Sequence, residues 1–277
     1  MKTTLLCAVH TRKGDSGAAP DQAMALRIQS LGGFAVLRDD QPVRTSEWQS
    51  RRARELLKLL VARRGRPAPR PYLMETLWPG EEPERVANRL SVALSIIRGV
   101  LDPRRCSPPD QFVRADCGSV AINLDAVDVD LERFLAAAGD GRRLLRRGET
   151  HRALPTLEAA IVAYRGDFLE ENPYDDWAVP AREEAREAYV TTARALAVHA
   201  AASADPDGAV LHFLRILGID RYDEPACLGL VTALADAGRH GEAHRHYVNY
   251  RCAMDELRVE PAPFPNGGRG RLIATVS

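Results

Sequence analysis

The sequence predicts a mainly α protein with a small β component, in two parts, and three observations lead there. Short alternating segments and turn residues crowd the first 125 positions. Helical periodicity without a strand signal fills the remainder. Within that remainder, small and large apolar residues return every 34 positions. Three strands, three helices and a hairpin, in that order, describe a winged helix of the response-regulator output type. The 34-residue period describes a tetratricopeptide-like helical repeat domain. The expected parts are a disordered leader over 1–25, the winged-helix domain over 26–125, the repeat domain over 126–262 and a flexible tail over 263–277.

Each element has a local reason. Leu26 and Ile28, then Phe34 and Val36 with Gly32-Gly33 between them, alternate as two strands. Asp39-Asp40 makes a turn, and Pro42-Val43 opens a third, edge strand. Ser46 is positioned to cap a helix beginning near Ser50, in which Ala53, Leu57, Leu60, Val61 and the stem of Arg64 share a face. Gly65, Pro67 and Pro69 end it, and Pro71 opens a short helix over 72–78 that stops at Pro79-Gly80. A third helix spans 83–101, closed by Asp102-Pro103. Phe112-Val113 and Val120-Ala121-Ile122 flank Asp116-Cys117-Gly118 as a hairpin. Beyond Val127 the spacing reads as helix throughout. Ala209 and Ala243, Phe213 and Tyr247, and Asp205 and Arg239 pair at 34 residues, while Ala153 and Leu157 take the same places 56 residues earlier.

Composition narrows the function classes. With 45% apolar and 27% charged residues among 277, the chain is an ordinary globular one. Its 38 basic and 38 acidic side chains cancel, but residues 26–125 hold 17 Lys/Arg against 12 Asp/Glu, while residues 126–277 hold 18 against 24. A basic half joined to an acidic half points to different partners. Only Lys2, Lys13 and Lys58 are lysines, a bias expected of a GC-rich genome. Five scattered cysteines without a CxxC argue for a reducing cytoplasm and against a structural disulfide or zinc knuckle. The apolar run at 5–9 is too short for a signal peptide, and no stretch approaches a membrane span. A cytoplasmic protein without membrane contact is expected.

The third helix carries the chemistry. With Leu90 at the centre of its apolar face, Val86, Leu94, Ile97 and Leu101 fall within about 40° of it. The other side presents Arg85, Asn88, Arg89, Ser91, Val92, Ser95 and Ile96. Arg suits guanine, Asn suits adenine, Ser bonds either edge, and Val or Ile meets a thymine methyl, so this set is the base-reading candidate. The stretch 51–70 holds eight basic residues against Glu55 alone; Arg51, Arg52 and Arg70 are the phosphate candidates, with Arg114 reaching out from the hairpin wing. Asp167, Glu170, Glu171, Asp175 and Asp176 could suggest paired catalytic carboxylates, but in a turn of a repeat domain they read as solvated charge. His240, His244 and His246 lack the companions a metal site needs, and Tyr164, Phe168, Trp177 and Tyr189 read as packing anchors. Neither GxxxxGK[ST] nor GxGxxG occurs, so no enzyme and no cofactor are expected.

Taken together, residues 26–262 resemble the Streptomyces antibiotic regulatory protein family of transcriptional activators. The likeness runs through Leu31-Gly32-Gly33-Phe34, Arg51-Arg52-Ala53-Arg54-Glu55-Leu56-Leu57, and residues 74–78 and 87–101. Val127-Asp128-Val129-Asp130, Tyr164-Arg165-Gly166-Asp167-Phe168, Gly238-Arg239 and residues 256–261 resemble the bacterial transcriptional activation domain. The resemblance implies a sequence-specific activator of a biosynthetic gene cluster, with double-stranded promoter DNA bearing direct repeats, RNA polymerase and a second copy on DNA as partners. Glu81, Glu82 and Glu84 resemble the segment that related activators use near polymerase; helix-dipole complementation is the simpler account of them. An interaction scaffold whose winged helix no longer binds DNA is the alternative.

Overall fold

The computed structural model describes residues 25–265. Most of the expected leader, and the tail from 266, therefore lie outside the described residues. Strands β1 (Leu26–Gln29), β2 (Ala35–Arg38) and β3 (Gln41–Pro42) form an antiparallel meander. Asp39 and Asp40 join β2 to β3 with φ of 48° and 63°, the pair of left-handed residues that a tight hairpin turn requires. Helix α1 (Arg51–Ala62) is capped by Ser50, whose side chain accepts from the Ala53 amide at 3.3 Å. Ser46 instead lies inside a single 3₁₀ turn, Thr45–Glu47, closed by the Glu47 carboxylate on the Arg44 amide.

Helix α2 spans Arg70–Leu77 with Pro71 in its first turn, and α3 spans Pro83–Leu101. Their packing against α1 buries Leu56, Leu57, Leu60, Leu73, Leu90, Leu94 and Ile97. A two-residue strand β4 (Ala68–Pro69) joins the hairpin of β5 (Val113–Ala115) and β6 (Ser119–Ile122) in the order β4-β6-β5. The hairpin was legible; β4, two residues of which one is a proline, was not.

After a further short strand, β7 (Asp128–Val129), six helices follow: α4 (Asp130–Arg146), α5 (Thr150–Ala163), α6 (Val179–Ala202), α7 (Pro206–Ile219), α8 (Glu224–Asp236) and α9 (His240–Leu257). They stack as hairpins α4–α5, α6–α7 and α8–α9. The repeat is visible in atomic terms. Ala153, Ala209 and Ala243 are each the fourth residue of the second helix of a hairpin, and each is fully buried. Five residues before each, the connecting turn takes a left-handed residue: Gly148 (φ 76°), Ala204 (φ 57°) and Gly238 (φ 73°). Close helix approach also needs Gly229, where an added Cβ would sit 2.4 Å from the Phe213 ring. The start of the expected tail is packed, since Phe264 meets Tyr247 edge-on, and just before it Tyr250 accepts a hydrogen bond from the Ala262 amide.

The boundary expected at 125/126 is crossed by shared structure. β7 pairs in parallel with β1, giving a sheet of order β3-β2-β1-β7. The buried Asp130 carboxylate accepts from the Ser30 amide (2.8 Å), the Ser30 hydroxyl (2.6 Å) and the Leu31 amide (3.1 Å). The loop after α5 adds backbone bonds from Gly32 N to Asp167 O (2.9 Å), Leu169 N to Ser30 O (2.8 Å) and Glu170 N to Gly32 O (3.1 Å). Ile28, Leu31, Leu57, Phe134 and Phe168 belong to one continuous core. A helical run from Val127 was expected because β7, with two residues, carries no periodicity of its own; its partner residues lie 101 positions upstream.

Candidate nucleic-acid interface

The amphipathic α3 sorts its residues as the 3.6-residue period demands. Val86, Leu90, Leu94, Ile97 and Leu101 are buried, while Arg85, Asn88, Arg89, Ser91, Val92 and Ser95 are exposed. Val92 is 55% exposed, an apolar side chain without a buried role. Ile96 departs from the expected set: it is half-buried and packs on the core, because it lies one residue from Ile97 on the edge of the buried face. Arg89 is engaged by Glu81, with Nη1 2.7 and 2.6 Å from the two carboxylate oxygens. Ser91 donates to the Ala87 carbonyl at 3.0 Å. Glu81, Glu82 and Glu84 are all exposed around the start of α3, with Glu82 at the N-cap position.

The hairpin is tied to α3. Arg98 of α3 donates to Asp110 at 2.7 Å and to the Val113 carbonyl at 3.4 Å. At the end of α3, burial works to raise the Asp102 carboxyl, but hydrogen bonds from the Ser107 and Cys106 amides hold it below its ordinary value. Arg114 projects from β5 and is exposed, facing Asp125 at 3.4 Å.

The basic stretch 51–70 is not a single phosphate-facing surface. Arg51 and Arg52, in the first turn of α1, are exposed. Arg70 instead donates to the Asp116 carbonyl at 3.0 Å and so fastens α2 to the hairpin. Arg54 pairs with Glu171 (2.9 Å), and Arg64 with Glu132 of α4 and Glu184 of α6 (2.5 Å each). Lys58 is buried. Three of the eight cations therefore face acids of the helical domain, and the acidic segment 167–176, read as solvated, supplies the partner of two of them. Charge counts alone cannot show this, because each pair joins residues more than 60 positions apart.

Among the described residues, no group of three His, Cys, Asp or Glu is placed to hold a metal ion, and no helix is long and apolar enough to cross a membrane. Residues 129–264 match the bacterial transcriptional activator domain family. The chain is 26% identical over 225 residues to the regulatory protein DnrI of Streptomyces peucetius, covering 77% of this chain and 80% of that one. Its fold is similar to that of Mycobacterium tuberculosis EmbR, solved in complex with a low-affinity phosphopeptide, with a TM-score of 0.73 at 22% identity. That match covers 87% of this chain but 63% of EmbR, so this chain spans less than two thirds of that relative's length.

Proposed function

We propose that the chain is a transcriptional regulator of the Streptomyces antibiotic regulatory protein kind, as its match to the bacterial transcriptional activator domain over residues 129–264 and its likeness to DnrI support, and that it binds promoter DNA sequence-selectively through α3. The observation that carries this is the exposed face of Arg85, Asn88, Ser91, Val92 and Ser95 on a helix whose opposite face is locked in the core. Those side chains offer guanine-, adenine- and thymine-directed contacts in one row. Arg51, Arg52 and Arg114 are the phosphate contacts in this reading, with Arg89 joining them or the bases once Glu81 releases it. We assign Arg70 a structural role instead.

The proposal extends to partners. The protein activates a biosynthetic gene cluster, occupies direct repeats as neighbouring copies, and meets RNA polymerase through the exposed acids Glu81, Glu82 and Glu84 beside α3. The helical hairpins form a surface suited to protein rather than to a polyanion, given the acidic balance of residues 126–277. A gel shift with the full chain on promoter and scrambled DNA across a salt series tests the first step. Selective binding with a log–log salt slope of about −0.9 per phosphate neutralised is expected. Equal binding to both DNAs, or none, would leave the scaffold reading in its place.

A further inference from the structure

Lys58 is the only lysine after Lys13 in a chain that uses arginine for 35 of its 38 cations, and it is 2% exposed. Its ammonium lies between the two halves of the molecule. It donates to Glu55 on its own helix at 2.9 Å, to the Asn172 side chain at 2.8 Å, and to Glu171. An ammonium has three donors, and three acceptors meet it here; a planar guanidinium does not offer that geometry. Asn172 closes the ring by donating to Glu55 at 3.0 Å, and to Asp175 at 2.6 Å. Arg54 adds a second cation to Glu171, and both cations lie over the Phe34 ring, at 5.2 and 5.6 Å from its centroid.

The loop that carries Glu171 and Asn172 is itself fixed from behind. Arg182 of α6, buried, donates to the carbonyls of Asn172 (2.8 Å), Phe168 (3.2 Å) and Pro173 (3.3 Å). An unbroken line of contacts thus runs from α3 to α1 by packing, from α1 to the loop through Lys58, and from the loop to α6 through Arg182. Buried ion clusters add little net stability compared with apolar packing, since desolvation offsets much of the attraction. What this cluster supplies is direction: added to the shared sheet and the Asp130 bonds, it ties the 171–172 segment to α1 through bonds whose partners must keep their present places.

We propose that Lys58 is a positioning residue for activation: it fixes the helical domain relative to the DNA-reading helix, so that occupancy of DNA presents that domain to its partner in one orientation. This rests on the DNA-binding activator reading above. The test uses the full chain with purified polymerase and a promoter carrying one binding site. Lys58→Met leaves Glu55 and Glu171 without their ammonium and should lower stability, but the folded variant should bind that DNA within about threefold of wild type and stimulate transcription about tenfold less. Glu171→Gln, partly exposed and milder, should lower stimulation by about threefold with DNA affinity unchanged, and it serves should Lys58→Met fail to fold. Binding and stimulation falling together, or neither moving, would overturn the positioning role while leaving the activator reading intact. A wild-type chain that binds no promoter DNA would defeat both.

Discussion

At the scale of single residues, the sequence distinguishes side-chain chemistry but not engagement. Asn88 and Arg89 are neighbours on α3 with equal claims to read bases, yet only the structure shows Arg89 held by Glu81. Asn88→Ala is therefore the cleaner test. It should weaken binding at the cognate site by about 1–3 kcal/mol and leave random DNA unaffected, as measured by titration on both. Equal losses would make it a backbone contact. Asp130 is the converse case, a carboxylate whose role was unreadable because its three donors, on Ser30 and Leu31, lie 100 and 99 residues upstream. Asp130→Ala leaves the Ser30 and Leu31 donors buried without an acceptor. Urea unfolding should show a loss of about 3 kcal/mol.

Among elements, periodicity together with proline, glycine and turn residues located the three α-helices of the first half and the hairpin that follows. It located the repeat as well, since Ala153, Ala209 and Ala243 do occupy equivalent buried positions. Ala243→Arg should thus place a guanidinium in a closed helix crossing and cost several kcal/mol, seen as a lowered thermal midpoint by circular dichroism. Gly229→Ala probes the same packing more gently. Its Cβ would stand 2.4 Å from the Phe213 ring, and overpacking should cost about 1–3 kcal/mol unless the ring moves. Strands β4 and β7 escaped the sequence reading for one reason: two residues cannot establish an alternation, and each exists because a distant partner supplies its hydrogen bonds.

For the molecule as a whole, the shared sheet and core predict one cooperative unfolding transition and acid sensitivity in two stages. Burial, reinforced by Arg215, depresses the His212 imidazole below its ordinary 6.5. At the junction, burial works to raise the Glu171 carboxyl, but the Lys58 hydrogen bond and Arg54 outweigh it and hold it below 4.5. Hydrogen bonds from Arg186 hold Asp167 below 3.8. Each of these groups binds its proton less readily when folded. Their stability contribution is therefore present above the unfolded values and is lost as pH falls, first through His212 and then through the carboxylates. Thermal midpoints should decline from about pH 6.5 downward and more steeply below about pH 4.5. His212→Gln should flatten the first decline alone; a wild-type midpoint unchanged between pH 7 and pH 5 would contradict this.

Local rules were enough for much of this protein. Turn residues, helix stops and the face of α3 depend on neighbours a few positions apart, and the 34-residue recurrence shows when the chain is compared with itself, so the sequence by itself determined a winged helix followed by helical hairpins. Tertiary structure decided the junction. Leu31-Gly32-Gly33-Phe34 and Tyr164-Arg165-Gly166-Asp167-Phe168 stood out separately, and only the fold brings them together, with the Gly32 amide on the Asp167 carbonyl and Leu31 bridged to Phe168. The same holds for charge. Whether a cation faces phosphate, a carbonyl or a carboxylate depends on what the folded chain places within about 3 Å of it, and composition carries no such distances.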